Sequence, residues 1–319
     1  MLTLYPELKP HKEHFLPVDN LHTIYIEESG NKDGLPVLFV HDGPGYGSDP
    51  FCRRLLDSER FRIIMIDQRG CGKSTPLAET AHNRPDILIQ DIERVRQHLS
   101  IDKWMLVGMG WGGFLSQQYA DAHPEAVLGV VISGFFVADE AGISWMLAEG
   151  APRMFPDIWH EVMKDCPREN VVEVLSYFSK YLNGSNELLQ IQAAKQWAAW
   201  VAKISTLHPC QDLVDRLTHP HQAIALAKLG CKFYQELSDR PASSNSHFKD
   251  IPGIIVHGRY DAISPLARAF DLHQNWAGSD LYIIRDAGHS VRDPAMVDAL
   301  IKSIGSMADR IGGVSKLNG

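Results

Sequence analysis

A buried-strand pattern, Trp104 to Val107, runs directly into Gly108-Met-Gly-Trp-Gly-Gly113, and helical spacing follows from Gly112 to His123. A junction this tight belongs to a chain in which buried strands alternate with covering helices. The flanking sequence continues that alternation. His22 to Glu28 reads as a half-buried strand, and Asn31-Lys-Asp-Gly34 as a turn. Pro36–Val40, Arg62–Ile66 and Leu128–Ile132 read as buried strands. Between them, Ile87, Ile89, Ile92, Val95 and Leu99 recur at helical spacing among Asp91, Glu93, Arg94 and Arg96. The pattern predicts a mostly parallel sheet with helices on both faces.

From Val137 to Lys249 the alternation stops. That stretch is helical in pattern, rich in aromatics and methionines, and offers no strand candidate. Ile254–Val256 and Leu281–Ile284 then resume the strands, and a helix is expected from Pro294 to Ile311, with Gly312–Gly319 as a frayed tail. The reading is an α/β core over 1–136 and 250–319, with a helical cap inserted over 137–249.

Composition narrows the function. A net charge of −8 without any basic stripe argues against a nucleic-acid partner. The 15 histidines are scattered and show no metal-ligand spacing, so neither a metal nor another cofactor is expected. Five cysteines lack a framework spacing and suit reduced thiols. The N-terminus has no signal-peptide pattern and no apolar run reaches ~18 residues. The expectation is a cytoplasmic protein with a small-molecule substrate and no membrane partner; its oligomeric state is left open.

Four short segments carry chemistry. Gly108-Met-Gly-Trp-Gly112 has the form G-x-S-x-G, the strand-to-helix turn that lifts a nucleophilic hydroxyl above an α/β-hydrolase sheet, with Gly110 in the nucleophile's place. Glycine adopts the positive φ of such a turn freely, whereas a side chain there is strained by roughly 1–3 kcal/mol. His41-Asp-Gly-Pro-Gly45 follows a strand, where an oxyanion-hole loop belongs; its donors would be the N–H of Gly43 or Asp42, with that of Trp111. Asp261, in His257-Gly-Arg-Tyr-Asp-Ala262, and His289, in Ala287-Gly-His-Ser290, follow later strands in the order of this fold's triad. A glycine-rich turn, a Gly-Pro turn and solvated loop residues are the plain readings of each segment alone; their joint order is what carries weight.

With these motifs in place, the chain resembles the proline iminopeptidase family of α/β-hydrolases along nearly its whole length. His41-Asp-Gly-Pro-Gly45 stands for the family's H-G-G-P-G, and Asp67-Gln-Arg-Gly-Cys-Gly-Lys-Ser74 matches D-Q-R-G-x-G-x-S. Gly108-Met-Gly-Trp-Gly-Gly113 stands against G-G-S-W-G-G, and His257-Gly-Arg-Tyr-Asp261 and Gly288-His289 complete the set. The resemblance implies an α/β-hydrolase fold with a cap. It also exposes departures: glycine at 110 for serine, Asp42 for glycine, and Val201 and Gly230 for the two cap glutamates that hold the substrate's ammonium in the family.

An aminopeptidase is therefore not expected. A buried ammonium without a carboxylate costs several kcal/mol. The remaining machinery is a His289–Asp261 dyad beside an oxyanion hole made by Gly43 and Trp111, with Asp42 as a second acid/base or substrate-binding group. A histidine near its ordinary pKa would serve as general base, and a water would fit where the serine is missing. His41, Val201, Gly230, Trp200 and Tyr234 are expected to line a largely apolar substrate site. Elimination, cyclisation, isomerisation or water-activated hydrolysis of a small molecule fits this set, as in natural-product tailoring. A conventional serine hydrolase changed at 110, or a ligand-binding protein without catalysis, are the alternatives.

Overall fold

The computed structural model describes residues 2–167, 170–237 and 247–317. Eight strands form one sheet: β1 (Lys12–Pro17), β2 (Thr23–Gly30), β3 (Leu35–Val40), β4 (Phe61–Asp67), β5 (Trp104–Met109), β6 (Val127–Ser133), β7 (Gly253–Gly258) and β8 (Ser279–Ile284). Their order is β1-β2-β4-β3-β5-β6-β7-β8. β1 and β2 run antiparallel, and every pairing from β4 to β8 is parallel. β5 is buried along its whole length, as its continuously apolar sequence requires of a strand covered on both faces. One face packs beneath Trp111, Leu115 and Tyr119 of the helix Trp111–Ala122. The other belongs to a second core, in which Met105 and Val107 join Met296, Leu300, Ile304 and Met307 of the helix Pro294–Leu317, a helix that packs on β6, β7 and β8.

The sequence pattern passes over β1. It is an edge strand with alternate residues exposed, and Phe15 on it is 60% exposed. Little apolar surface is buried there, so little periodicity marks it. The last helix extends to Leu317, beyond the expected end at Ile311: it runs on through Gly312 and Gly313, neither of which takes the positive φ of a helix-ending turn. The expected tail at 312–317 is thus helical; residues 318 and 319 lie outside the described ones. Between β6 and β7 stand the helices Glu140–Leu147, Ala151–Met154, Pro156–Val162, Val171–Leu182, Glu187–Ser205, Gln211–Thr218 and Pro220–Leu237. Trp197 and Trp200 are buried among them, and no strand occurs there among the described residues.

The loop after β4 is tied down by buried charge. Arg69 is 1% exposed in its side chain and forms a fork to both oxygens of Asp91, at 2.5 and 2.9 Å. The same guanidinium reaches Asp19 and the carbonyl of His82. Asp67 accepts the N–H groups of Ser48 (2.6 Å) and Lys73 (2.7 Å), so one carboxylate fixes two loops. Breaking a buried pair from one side leaves an uncompensated charge and costs about 3–5 kcal/mol. Arg69→Ala and Asp91→Ala are each expected to lower the urea-derived unfolding free energy by that amount, and Arg69→Met with Asp91→Leu to recover much of it. Single variants within about 1 kcal/mol of the parent would refute this account.

Candidate active site

All the chemical groups sit at the C-terminal ends of parallel strands. His41, Asp42 and Gly43 follow β3, Gly110 follows β5, and Asp261 and His289 follow β7 and β8. β3 and β5 are direct neighbours, with Val40 opposite Gly108. The loop after β3 therefore reaches the turn after β5. β6 lies between β5 and β7, and its end must let the His289 ring across. Gly134 does this: its φ is +57°, and a Cβ there would lie 2.9 Å from the imidazole.

The turn at Gly110 is left-handed, with φ +48° and ψ −112°. Its N–H donates to the Ser133 carbonyl at 2.8 Å, and its own carbonyl accepts from Gly113 at 3.0 Å. The space above it is occupied. A Cβ on residue 110 would meet Asp42 Oδ1 at 2.0 Å and Cγ at 2.6 Å. The Asp42 carboxylate lies where a side chain of residue 110 would project. It is not a turn residue facing solvent, and no room is left for the water expected there.

Every contact of that carboxylate is directed. Oδ1 accepts the N–H of Gly43 at 2.7 Å and the N–H of Trp111 at 3.0 Å. Oδ2 lies 3.0 Å from His289 Nε2. The other imidazole nitrogen, Nδ1, lies 2.8 Å from Asp261 Oδ2. Asp261 Oδ1 accepts the N–H groups of Ile263 (2.9 Å) and Ser264 (2.8 Å). The cap joins in: the Ser205 carbonyl accepts the N–H groups of His289 and Ser290, at 2.9 and 2.8 Å.

This arrangement changes the state of His289. Burial pushes an imidazole towards neutrality, but Asp261 and Asp42 on its two sides outweigh that and raise its pKa to about 10. At neutral pH it is an imidazolium donating from both nitrogens. The expectation of a histidine near its ordinary pKa is corrected by Asp42. Asp261 is opposed by burial, yet the charge of His289, 2.8 Å away, holds it below the usual carboxylate range. His257 itself is driven down by burial, against the charge of Asp261.

Two chambers flank the carboxylate. The cap-side chamber, about 300 Å³ with its solvent-open part included, is lined mainly by Tyr46, Met146, Trp197, Val201, Tyr234 and Ile263, besides Asp42 and His289. The outer cleft, about 540 Å³ and partly open to solvent, is bordered by His41, Met109, Gly110, Arg216 and Arg292. Val201 and Tyr234 thus face the site. Trp200 does not line either chamber: its indole N–H donates to the Met146 carbonyl at 3.2 Å and its ring stands edge-on to Trp159. Gly230 lies beneath Trp197, where a Cβ would come 3.0 Å from the ring. His41 is buried; its Nδ1 donates to the Asp42 carbonyl at 2.6 Å and its Nε2 accepts from Gln68 N–H at 3.1 Å, so it fixes the loop that carries Asp42. Burial keeps it uncharged despite Asp67 nearby.

Tyr46, Arg216 and Arg292 were not legible as site residues. Tyr46 had a signal, standing directly after the Gly-Pro-Gly loop, whereas the two arginines lie on segments without a motif. Among the described residues, no group of three or more His, Cys, Asp or Glu side chains is disposed to hold a metal ion.

Comparison with known proteins agrees with the architecture. Residues 36–167 match the model of the alpha/beta hydrolase fold. The chain is 38% identical to the proline iminopeptidase of Xanthomonas citri over 97% of this chain and all of that one. It is 36% identical to the proline iminopeptidase of Arabidopsis thaliana, over 94% of this chain and 80% of that one. Among solved structures, a proline iminopeptidase-related protein from Thermus thermophilus superposes with a TM-score of 0.63 at 18% identity, covering 93% and 98% of the two chains. A 2-hydroxy-6-oxo-6-phenylhexa-2,4-dienoate hydrolase from Rhodococcus superposes equally well, at 16% identity over 95% and 99%. An eight-stranded hydrolase sheet, strand-end loops in triad order and relatives matched almost end to end place this chain in the proline iminopeptidase family of α/β-hydrolases.

Proposed function

We propose that this chain is an α/β-hydrolase-fold enzyme that works by acid–base chemistry through Asp42, His289 and Asp261 on a small, largely apolar molecule. The observation that carries the reading is the Asp42 carboxylate, bridged between the N–H groups of Gly43 and Trp111 and the imidazole of His289 above a glycine at 110. Asp42 is the base and His289 the acid that shares its proton, oriented by Asp261 as the acid orients histidine in a triad. When Asp42 moves aside, the two N–H groups become an oxyanion hole for an enolate or alkoxide. Proton abstraction beside a carbonyl, and the elimination, isomerisation or cyclisation that follows, needs no more than this. Retention of His289 and Asp261, now in line with Asp42, speaks for catalysis over mere binding, which needs no proton relay.

Release of N-terminal proline, the activity its relatives are named for, is not the reading. Of the residues lining the cap-side chamber only Asp42 is a carboxylate, and His289 already neutralises it. A substrate ammonium would be buried there without a partner of its own. A proline arylamide is expected to be inert with the purified protein; turnover at the ~1–10³ per second of ordinary enzymes would refute this.

Gly110→Ser by itself is expected to yield no esterase, because the new Cβ collides with Asp42 at 2.0 Å. Gly110→Ser with Asp42→Gly clears the space and should hydrolyse an activated ester such as p-nitrophenyl acetate, yet still spare proline arylamides. Equal esterase activity in the single variant would show that Asp42 does not hold this position.

The direct test uses a nitrobenzisoxazole, whose elimination needs only a base in an apolar pocket. The protein should accelerate it over buffer. Asp42→Asn should then lose roughly 10²–10⁴-fold, and Asp261→Asn a smaller part. No acceleration, or full activity in Asp42→Asn, would sink the assignment.

The raised pKa of His289 also links to stability. Its folded value of about 10 lies above the ordinary 6.5. The stabilisation is therefore complete below about pH 6.5 and is lost progressively as the pH rises to about 10. Chemical denaturation across this range should show a decline that is smaller in Asp42→Asn, where Asp261 alone still raises the imidazole; an imidazole titration near 6.5 in the intact protein, seen by nitrogen NMR, would contradict it.

A further inference from the structure

The two oxygens of Asp42 are not equivalent, and the difference has chemical content. Oδ1 takes both backbone N–H groups, while Oδ2 meets only His289. A carboxylate oxygen carries two lone pairs, so Oδ2 keeps one beyond that hydrogen bond. Building on the reading of Asp42 as the reactive carboxylate, we propose that Asp42 is a covalent nucleophile and that its electrophile is the saturated carbon of an epoxide carried by an apolar molecule.

The reaction balances with water as sole co-reactant. Oδ2 bonds to the epoxide carbon, the ring C–O bond breaks, and its electron pair goes to the ring oxygen. That oxygen takes the proton of the His289 imidazolium, leaving an ester on Asp42, a free hydroxyl and a neutral imidazole. Esterification removes one of the two charges that hold the proton on His289, so the ring becomes a base at the moment one is needed. His289 then takes a proton from water as the hydroxide adds to Asp42 Cγ. Negative charge develops on Oδ1, which already lies 2.7 and 3.0 Å from two N–H donors. The tetrahedral carbon expels the alcohol oxygen, which takes the proton from His289. The regenerated carboxylic acid returns its own proton to the imidazole, and a diol leaves.

Geometry favours an alkyl over an acyl electrophile. A substrate carbonyl would need the oxyanion hole for its own oxygen, and Oδ1 fills it. An alkylated Asp42 keeps Oδ1 there and needs the hole only in the second step. Tyr46 and Tyr234 line the same chamber as Asp42. Burial, reinforced by the charge of Asp42, keeps both phenols protonated and able to donate to the ring oxygen. The apolar remainder, Met146, Trp197, Val201, Leu226 and Ile263, suits the hydrocarbon body of such a molecule.

The experiment uses the purified full chain with aryl epoxides: styrene oxide, stilbene oxide and phenyl glycidyl ether. The unaltered protein is expected to form diol, and repeated turnover in heavy-oxygen water to place label in the Asp42 carboxylate, read from the peptide that carries it. His289→Ala, in which Tyr46 or Tyr234 must supply the ring-opening proton, should accumulate one covalent equivalent on Asp42, while Asp42→Asn and Asp42→Ala should fall to the buffer rate and form no adduct. Label that enters the diol in a single turnover, and never Asp42, would overturn the proposal while leaving Asp42 as a base acting through water. Neither diol nor adduct from any epoxide would overturn the substrate class, and the nitrobenzisoxazole elimination would still stand or fall separately. Should the Asp42 variants fail to fold, the label in the unaltered protein decides alone.

Discussion

The carboxylate of Asp42 and the missing side chain of Gly110 are one feature seen from two sides. A residue with a Cβ at 110 would force Asp42 out, and a residue shorter than Asp42 would leave the N–H groups of Gly43 and Trp111 without their acceptor. The two departures from the family pattern, glycine for serine and aspartate for glycine, thus compensate each other. A carboxylate oxygen from the loop after β3 stands over the turn after β5, in the space that a side chain of residue 110 would take. The turn keeps its left-handed backbone, and the strain that a side chain would bear there, roughly 1–3 kcal/mol, is absent.

Much of this fold was legible in the chain. Strands buried on both faces must be continuously apolar, so β3 to β7 announce themselves; the exposed edge strand β1 has no such obligation and was missed. The site was legible as a set of strand ends in the right order. What periodicity and motif could not supply is direction. Asp42 reads equally well as a solvated turn residue or a catalytic group until the neighbouring strand is placed beside it. The same holds for Trp200, which as an aromatic in a cap helix reads as a lining residue, although its indole is committed to the Met146 carbonyl. Gly230 marks a departure from the family's ammonium site but leaves a packing surface for Trp197.

Electrostatics inside the site follow from the same displacement. In a serine triad the histidine has one carboxylate neighbour and an uncharged hydroxyl, and it can rest neutral. Here it has two carboxylates, at 2.8 and 3.0 Å, and burial alone cannot keep it neutral. Burying three charges is tolerated because each carboxylate is also held by backbone donors: Gly43 and Trp111 for Asp42, Ile263 and Ser264 for Asp261.

On the proposed reading, the two carboxylates beside His289 give the site an order of events. While Asp42 is charged, His289 holds its proton and can only act as an acid. Once Asp42 loses its charge, by taking a proton or by forming a bond to carbon, one of the two attractions that raised the imidazole is gone, and the opposing effect of burial weighs more heavily against the proton. On that reading His289 turns from acid to base only after the first step has occurred. The apolar chamber supports this order, because it offers no third charge to hold the imidazolium in place of Asp42. The outer cleft does carry charge, in Arg216 and Arg292, but both arginines are turned to Asp49, at 3.4 and 2.6 Å. The charge that governs His289 is thus confined to two carboxylates, of which only Asp42 borders the chambers where a substrate would lie.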